Sequence, residues 1–198
     1  MRLRHLIFFS TVVAASALSG AVSINFIANN SSGVYLDSDG SSLNEGSLAL
    51  VGRLDETSYN NLTASQKLSF SDVSGTFSVI STVSDPFTAD SSGEFLINTA
   101  TISNPNGATA GDKLHAWVFN SSSGETSTAW GLFSNTNTLW NYPSDPGSAT
   151  ISTALSTMEV TFGSIESGSP DSYKLQAIPE PSAYATILGL LGLGYAVF

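Results

Sequence analysis

The sequence predicts an all-β fold: a single antiparallel β-sandwich-like domain with an apolar helix at either end. Three observations lead there. Short runs of alternating apolar and polar residues recur through the middle of the chain, separated by clusters of Gly, Asn, Ser and Pro, the pattern of half-buried strands joined by turns. Charged residues are only 11% of the 198, and Ser, Thr, Asn and Gly fill most polar positions, which suits neutral strand faces and tight connections. Aromatic residues reach 10% and cysteine is absent, so a core has to come from packing alone, which roughly 155 residues between the two ends can supply.

The elements follow in chain order. Residues 1–21 open with Arg2, Arg4 and His5, continue with an apolar run over 6–18, and close on Ser19, Gly20 and Ala21. A basic start, an apolar middle too short to span a bilayer and small residues at the end read as a secretory signal peptide. Cleavage is expected after Ala21, with Ser19 as the other candidate. Residues 22–177 then form the β-rich domain. Ile24, Phe26 and Ala28 alternate with Ser23, Asn25 and Ile27, and Asn29-Asn30-Ser31-Ser32-Gly33 marks a turn. Further strands are expected at 34–36, 47–52, 77–82, 94–102, 113–119, 129–133, 158–162 and 173–177. One helical patch is expected over 56–66, around Tyr59, Leu62 and Gln66, with weak capping signals. In the strand at 113–119, Leu114, Ala116 and Val118 should share one face, and Lys113, His115, Trp117 and Phe119 the other.

Residues 178–198 form a separate tail. Pro179-Glu180-Pro181 puts two prolines around one acid, which requires an extended joint. Residues 183–198 contain no charge, and Gly189, Gly192 and Gly194 within them suit a membrane helix. Pro179-Glu180-Pro181, followed by Ser182, a Tyr-Ala pair and a Leu/Gly-rich segment, resembles the PEP-CTERM sorting signal of Gram-negative bacteria that make exopolysaccharide, a tail also labelled an ice-binding-protein C-terminal motif. The resemblance implies recognition of Pro179, Glu180 and Pro181 by an exosortase, a membrane protease-transpeptidase, while the helix holds the chain in the inner membrane. It covers about the last twenty residues. This tail departs from the family in lacking a terminal arginine cluster, since no basic residue follows Lys174. A sixteen-residue helix also reaches only about 24 Å, short of the ~30 Å hydrocarbon core. The stretch over 111–133 is similar to segments of other members of that family, with no activity attached.

Composition narrows the function classes. The formal charge is −10, and loss of a leader that carries Arg2 and Arg4 but no acid takes it to −12. Nucleic-acid binding needs clustered Lys and Arg, and only Arg53, Lys67, Lys113 and Lys174 remain. Catalytic hardware is sparse. His115 is the one histidine beyond the leader, no serine lies in a Gly-x-Ser-x-Gly setting, and His115 reads as a strand-face residue. Asp37-x-Asp39-Gly40 begins like a calcium loop but lacks the later acid, so it reads as a turn. Asp55-Glu56 is the only adjacent acidic pair, and no metal or cofactor is expected. Isolated Thr-x-Thr pairs do not make the regular array that ice binding needs. Trp117, Trp130, Trp140 and Tyr142 fall close together in sequence. Core packing is the leading reading for them, with carbohydrate stacking at Trp130, Trp140 and Tyr142 as the alternative.

The expectation is therefore a non-catalytic surface or matrix protein. It would be exported through the secretion machinery and signal peptidase, held briefly in the inner membrane, processed at the Pro-Glu-Pro joint and left at the cell surface or outside the cell. The alternatives are a module that binds exopolysaccharide or another carbohydrate, and a secreted hydrolase.

Overall fold

The computed structural model describes residues 22–82, 87–154 and 157–179. The leader through Ala21 and the tail from Glu180 lie outside them. Along the chain run β1 (Val22–Ala28), β2 (Tyr35–Leu36), β3 (Leu48–Leu54), α1 (Glu56–Asn61), α2 (Phe70–Ser74), β4 (Phe77–Val79), β5 (Ser81–Thr82), β6 (Phe87–Thr88), β7 (Phe95–Asn104), β8 (His115–Phe119), β9 (Ala129–Asn135), β10 (Gly147–Ser152), β11 (Met158–Phe162), β12 (Ser164–Glu166), β13 (Ser172–Lys174) and β14 (Gln176–Ala177). The all-β expectation holds for this region: most of the regular structure is strand, and most pairings are antiparallel.

The strands form a four-stranded sheet in the order β10-β1-β7-β5, a larger sheet with the path β11-β9-β8-β3-β4, and a small sheet β12-β13-β2. In the larger sheet each outer edge is shared. β14 lies against β9 beyond the end of β11, and β6 lies against β3 beyond β4.

β1 shows how the sequence builds this. Its residues alternate buried and half-buried along all seven positions, so Val22, Ile24, Phe26 and Ala28 face inward. β8 and β9 differ, because every residue in them is buried. Such strands must be covered on both faces, and they are. Ala116, Val118, Ala129 and Phe133 join Ile24, Phe26, Phe95 and Ile151 in a core between the two main sheets. Trp117, Phe119, Trp130 and Leu132 point the other way, into a second core closed by Tyr59 of α1 and by Val73 and Phe70 of α2. Aromatic rings dominate that second core: Trp117 and Trp130 meet edge to face at 5.5 Å, and Trp130 stacks on Phe162 at 4.2 Å. The face assignment expected for β8 is the one observed.

The fold corrects four expectations. β1 pairs with β10 in parallel, Val22 opposite Gly147 through Ile27 opposite Ser152, and β13 pairs with β2 in parallel, so the sheets are not purely antiparallel. β10 falls outside the expected strands because Gly147 and Ser148 read as loop and Ala149 and Ile151 are its only buried apolar residues. The expected helix over 56–66 stops at Asn61, and a second helix, α2, follows. The N-terminus of α1 is well capped, since the Asp55 side chain accepts from the Ser58 backbone N–H at 3.1 Å.

Candidate functional site

One transverse row of the larger sheet concentrates the ionisable chemistry. The register aligns Val79, Gly52, His115, Ser134 and Glu159 across β4, β3, β8, β9 and β11. The neighbouring row on the same face is Leu50, Trp117, Leu132 and Phe162. A step of two residues, one pleat repeat, thus carries this face from an aromatic core to polar groups. Glycine is required at the second position of the row: a Cβ on Gly52 would lie 2.4 Å from the Ser78 carbonyl oxygen and 2.6 Å from the Phe77 ring.

α1 overhangs this row. Asp55 caps the helix and is tied to Thr76 by its own backbone N–H (2.8 Å), which puts Glu56 in the first turn above His115. Glu56 Oε1 lies 3.7 Å from His115 Nε2 and 3.9 Å from Lys113 Nζ. Lys113 Nζ forms its close ion pair with Glu159 Oε2, which also accepts from Ser134 Oγ at 3.2 Å. At the rim Arg53 Nη1 donates to Asp112 Oδ2 at 2.7 Å and to the Gly107 carbonyl at 3.1 Å. Arg53, Asp55, Glu56, Asp112, Lys113 and His115 line an open cleft of about 420 Å³, with Glu159 and Ser134 behind Lys113.

His115 is 2% exposed, and neither ring nitrogen has a hydrogen-bond partner. Burial pushes its pKa from 6.5 down to about 4; the positive charge of Lys113 adds to this, and Glu159 opposes it only in part. At neutral pH the ring is neutral, with one donor and one acceptor. Glu159 is held below the usual carboxylate range, first by the hydrogen bond from Lys113. Asp112 is held low by the Thr109 backbone N–H and then by Arg53.

The geometry argues against two reactions. A nucleophile–base pair needs a serine hydroxyl directed at the imidazole, but Ser134 gives its hydrogen to Glu159. Two-carboxylate glycoside hydrolysis needs one carboxyl kept protonated, but the ammonium of Lys113 is paired with Glu159 and favours its charged form. Among the described residues no three His, Cys, Asp or Glu side chains group as metal ligands.

The aromatic residues proposed for sugar stacking do not form a surface. Trp130 and Trp140 are 0% exposed and Tyr142 is 8% exposed. They also separate, Trp130 into the core under the helices and Trp140 with Tyr142 into the core between the sheets, where Trp140 Nε1 donates to the Ser152 carbonyl at 3.3 Å. Stacking at these three positions is therefore withdrawn, because large rings gain more from burial than from exposure to water. Asp37 and Asp39 sit in a tight turn: Gly40 N–H donates to the Asp37 carbonyl, and Asp39 Oδ1 accepts from Ser41. Pro179 is exposed at the end of the described residues; Ala21, Glu180 and Pro181 lie outside them. It borders a larger hollow of about 930 Å³ with Leu68, Phe70 and Ile178, in which Glu125 is the one titratable lining residue among those described.

Of the cleft residues, the sequence pointed to His115 as a possible base and to Asp55-Glu56 as an adjacent carboxylate pair. Asp55-Glu56 stands out in sequence as an acidic pair, but its division into a cap and an overhanging carboxylate depends on α1. Glu159, Lys113 and Ser134 carry no local signal, because the register of β8, β9 and β11 brings them together. Searches of protein-family models, curated proteins and solved structures find no match for this chain.

Proposed function

We propose that this chain is an exported, envelope-sorted surface or matrix protein without catalytic activity, processed at Pro179-Glu180-Pro181. The observation that carries this reading is the pair of ends flanking one β-rich region: a leader-type segment through Ala21 and a Pro-Glu-Pro joint followed by sixteen uncharged residues. Residues 1–21 and 183–198 are read as apolar helices on either side of a sandwich-like domain, the second lodged for a time in the inner membrane. The partners are the secretion machinery, signal peptidase and an exosortase-type protease, and the destination is the cell surface or the medium.

Two structural features support this reading. β1 occupies Val22–Ala28, so cleavage after Ala21 would leave all of this described strand in the chain. β14 ends at Ala177, Ile178 packs against the aromatic core, and Pro179 is exposed. A protease would therefore meet the joint directly beyond a packed domain. The test is the intact mass of the protein from its native envelope and medium. A mass running from Val22 to near Pro179 is expected, and Glu180→Ala should leave the unprocessed form accumulating. A soluble species extending to Phe198, or normal processing of Glu180→Ala in an exosortase-bearing host, would overturn the proposal.

A further inference from the structure

The cleft over His115 has chemistry that sorting does not use. Its floor is a buried imidazole with two unpartnered nitrogens, a state that costs stability unless something in the cleft completes it. The side chain above it is loosely held. Glu56 contacts His115 and Lys113 at 3.7 Å and 3.9 Å, beyond hydrogen-bond length, and its side chain is 60% exposed. The cations are already committed, Arg53 to Asp112 and Lys113 to Glu159. The cleft therefore offers a carboxylate acceptor over a ring that both donates and accepts, with Thr57 and Ser78 adding hydroxyl-bearing side chains to the lining.

We propose that this cleft binds a saccharide unit through neighbouring hydroxyls, one donating to the Glu56 carboxylate and the next exchanging hydrogen bonds with His115 once Glu56 swings aside. A hydroxyl suits either nitrogen of a neutral imidazole, donating to the unprotonated one or accepting from the one that carries the proton. An anionic ligand would face Asp55, Glu56 and Asp112 with no uncommitted cation to receive it, and an apolar ligand would find Leu54 as its one large apolar contact in the lining. A volume of about 420 Å³ lies in the range of small-ligand sites. With no aromatic ring in the lining, binding is weak, in the millimolar range. The site is separate from the ring-stacking surface excluded above, and the proposal stands whether or not the ends are processed.

The experiment uses the full-length chain labelled with ¹⁵N-histidine, which reports on His5 and His115 alone. Methyl glycosides of glucose, galactose and mannose are titrated to roughly 100 mM, with methylammonium chloride as a separate arm. The expected result is a saturable shift of the His115 ring nitrogens with at least one glycoside, His5 unchanged, and at least a roughly fivefold weaker affinity in Glu56→Gln. Glu56 is exposed, so this variant tests the site without disturbing the core. No saturable His115 shift with any of the three glycosides, an unchanged affinity in Glu56→Gln, or saturation by methylammonium in their place would each overturn the proposal.

Discussion

Lowering the pH from neutral forces a proton toward His115, and the structure sets what that costs. The ring is 2% exposed, with Lys113 two residues before it, Glu56 above it on α1 and Glu159 beyond it on β11. Its folded pKa is pushed down to about 4 from 6.5. Between those values the unfolded chain binds a proton that the folded chain refuses, so stability falls as pH falls. The contribution is complete above about pH 6.5 and exhausted near pH 4. At about 1.4 kcal/mol per pH unit, the window corresponds to about 3 kcal/mol in all, with about 2 kcal/mol of it lost by pH 5. Glu159 and Asp112 act with the same sign in a lower window: their folded pKa values are depressed, so their contribution is intact above the ordinary carboxylate range and is lost only as pH falls below it. The assay is urea unfolding of the wild type and His115→Gln at steps between about pH 7 and pH 4. The wild type should lose stability across this range, and the variant should be nearly flat until carboxylates begin to protonate. An equal slope in the two proteins would refute the buried, neutral state assigned to His115.

Three substitutions test the packing by denaturant unfolding. Trp130→Ala removes a ring that is 0% exposed and stacked on Phe162, and should cost about 3–5 kcal/mol; a loss below about 1 kcal/mol would contradict its place in the core. Gly52→Ala sets a methyl against the Ser78 carbonyl and the Phe77 ring and should cost about 1–3 kcal/mol by pushing β4 away from β3; a neutral result would show that the contact is slack. Tyr35→Phe deletes a hydroxyl that is buried without a partner while keeping the ring against Phe133 at 5.1 Å. It should be neutral or stabilising by about 1 kcal/mol, and a clear loss would mean that the hydroxyl has a partner.

Much of the strand content was legible because its cause is local. Val22 to Ala28 alternate in the one-letter code as they alternate in burial, and the two faces of β8 were assigned correctly from residues 114–119. β10 was missed because its buried apolar residues, Ala149 and Ile151, are separated by small polar ones that also suit a turn. The division of 56–74 into two helices was missed because the caps at Asp55 and Ser69 take their effect from the fold of each turn. For Trp130, Trp140 and Tyr142 the sequence left burial and stacking both open, since a large ring in a strand or loop looks the same whether or not another layer covers it.

The sequence by itself determined the β character of the middle, its acidity, and the apolar make-up of the two ends with their Pro-Glu-Pro joint, because periodicity, charge count and composition are properties of consecutive residues. Only the tertiary structure decided that β1 runs parallel to β10, that two helices close a second core over Trp117 and Trp130, and that His115 meets Glu56, Lys113, Ser134 and Glu159. Alternation along a strand says which residues share a face. Which strand lies alongside, in what register and beneath what cover depends on contacts between segments tens of residues apart, and there the cleft is made.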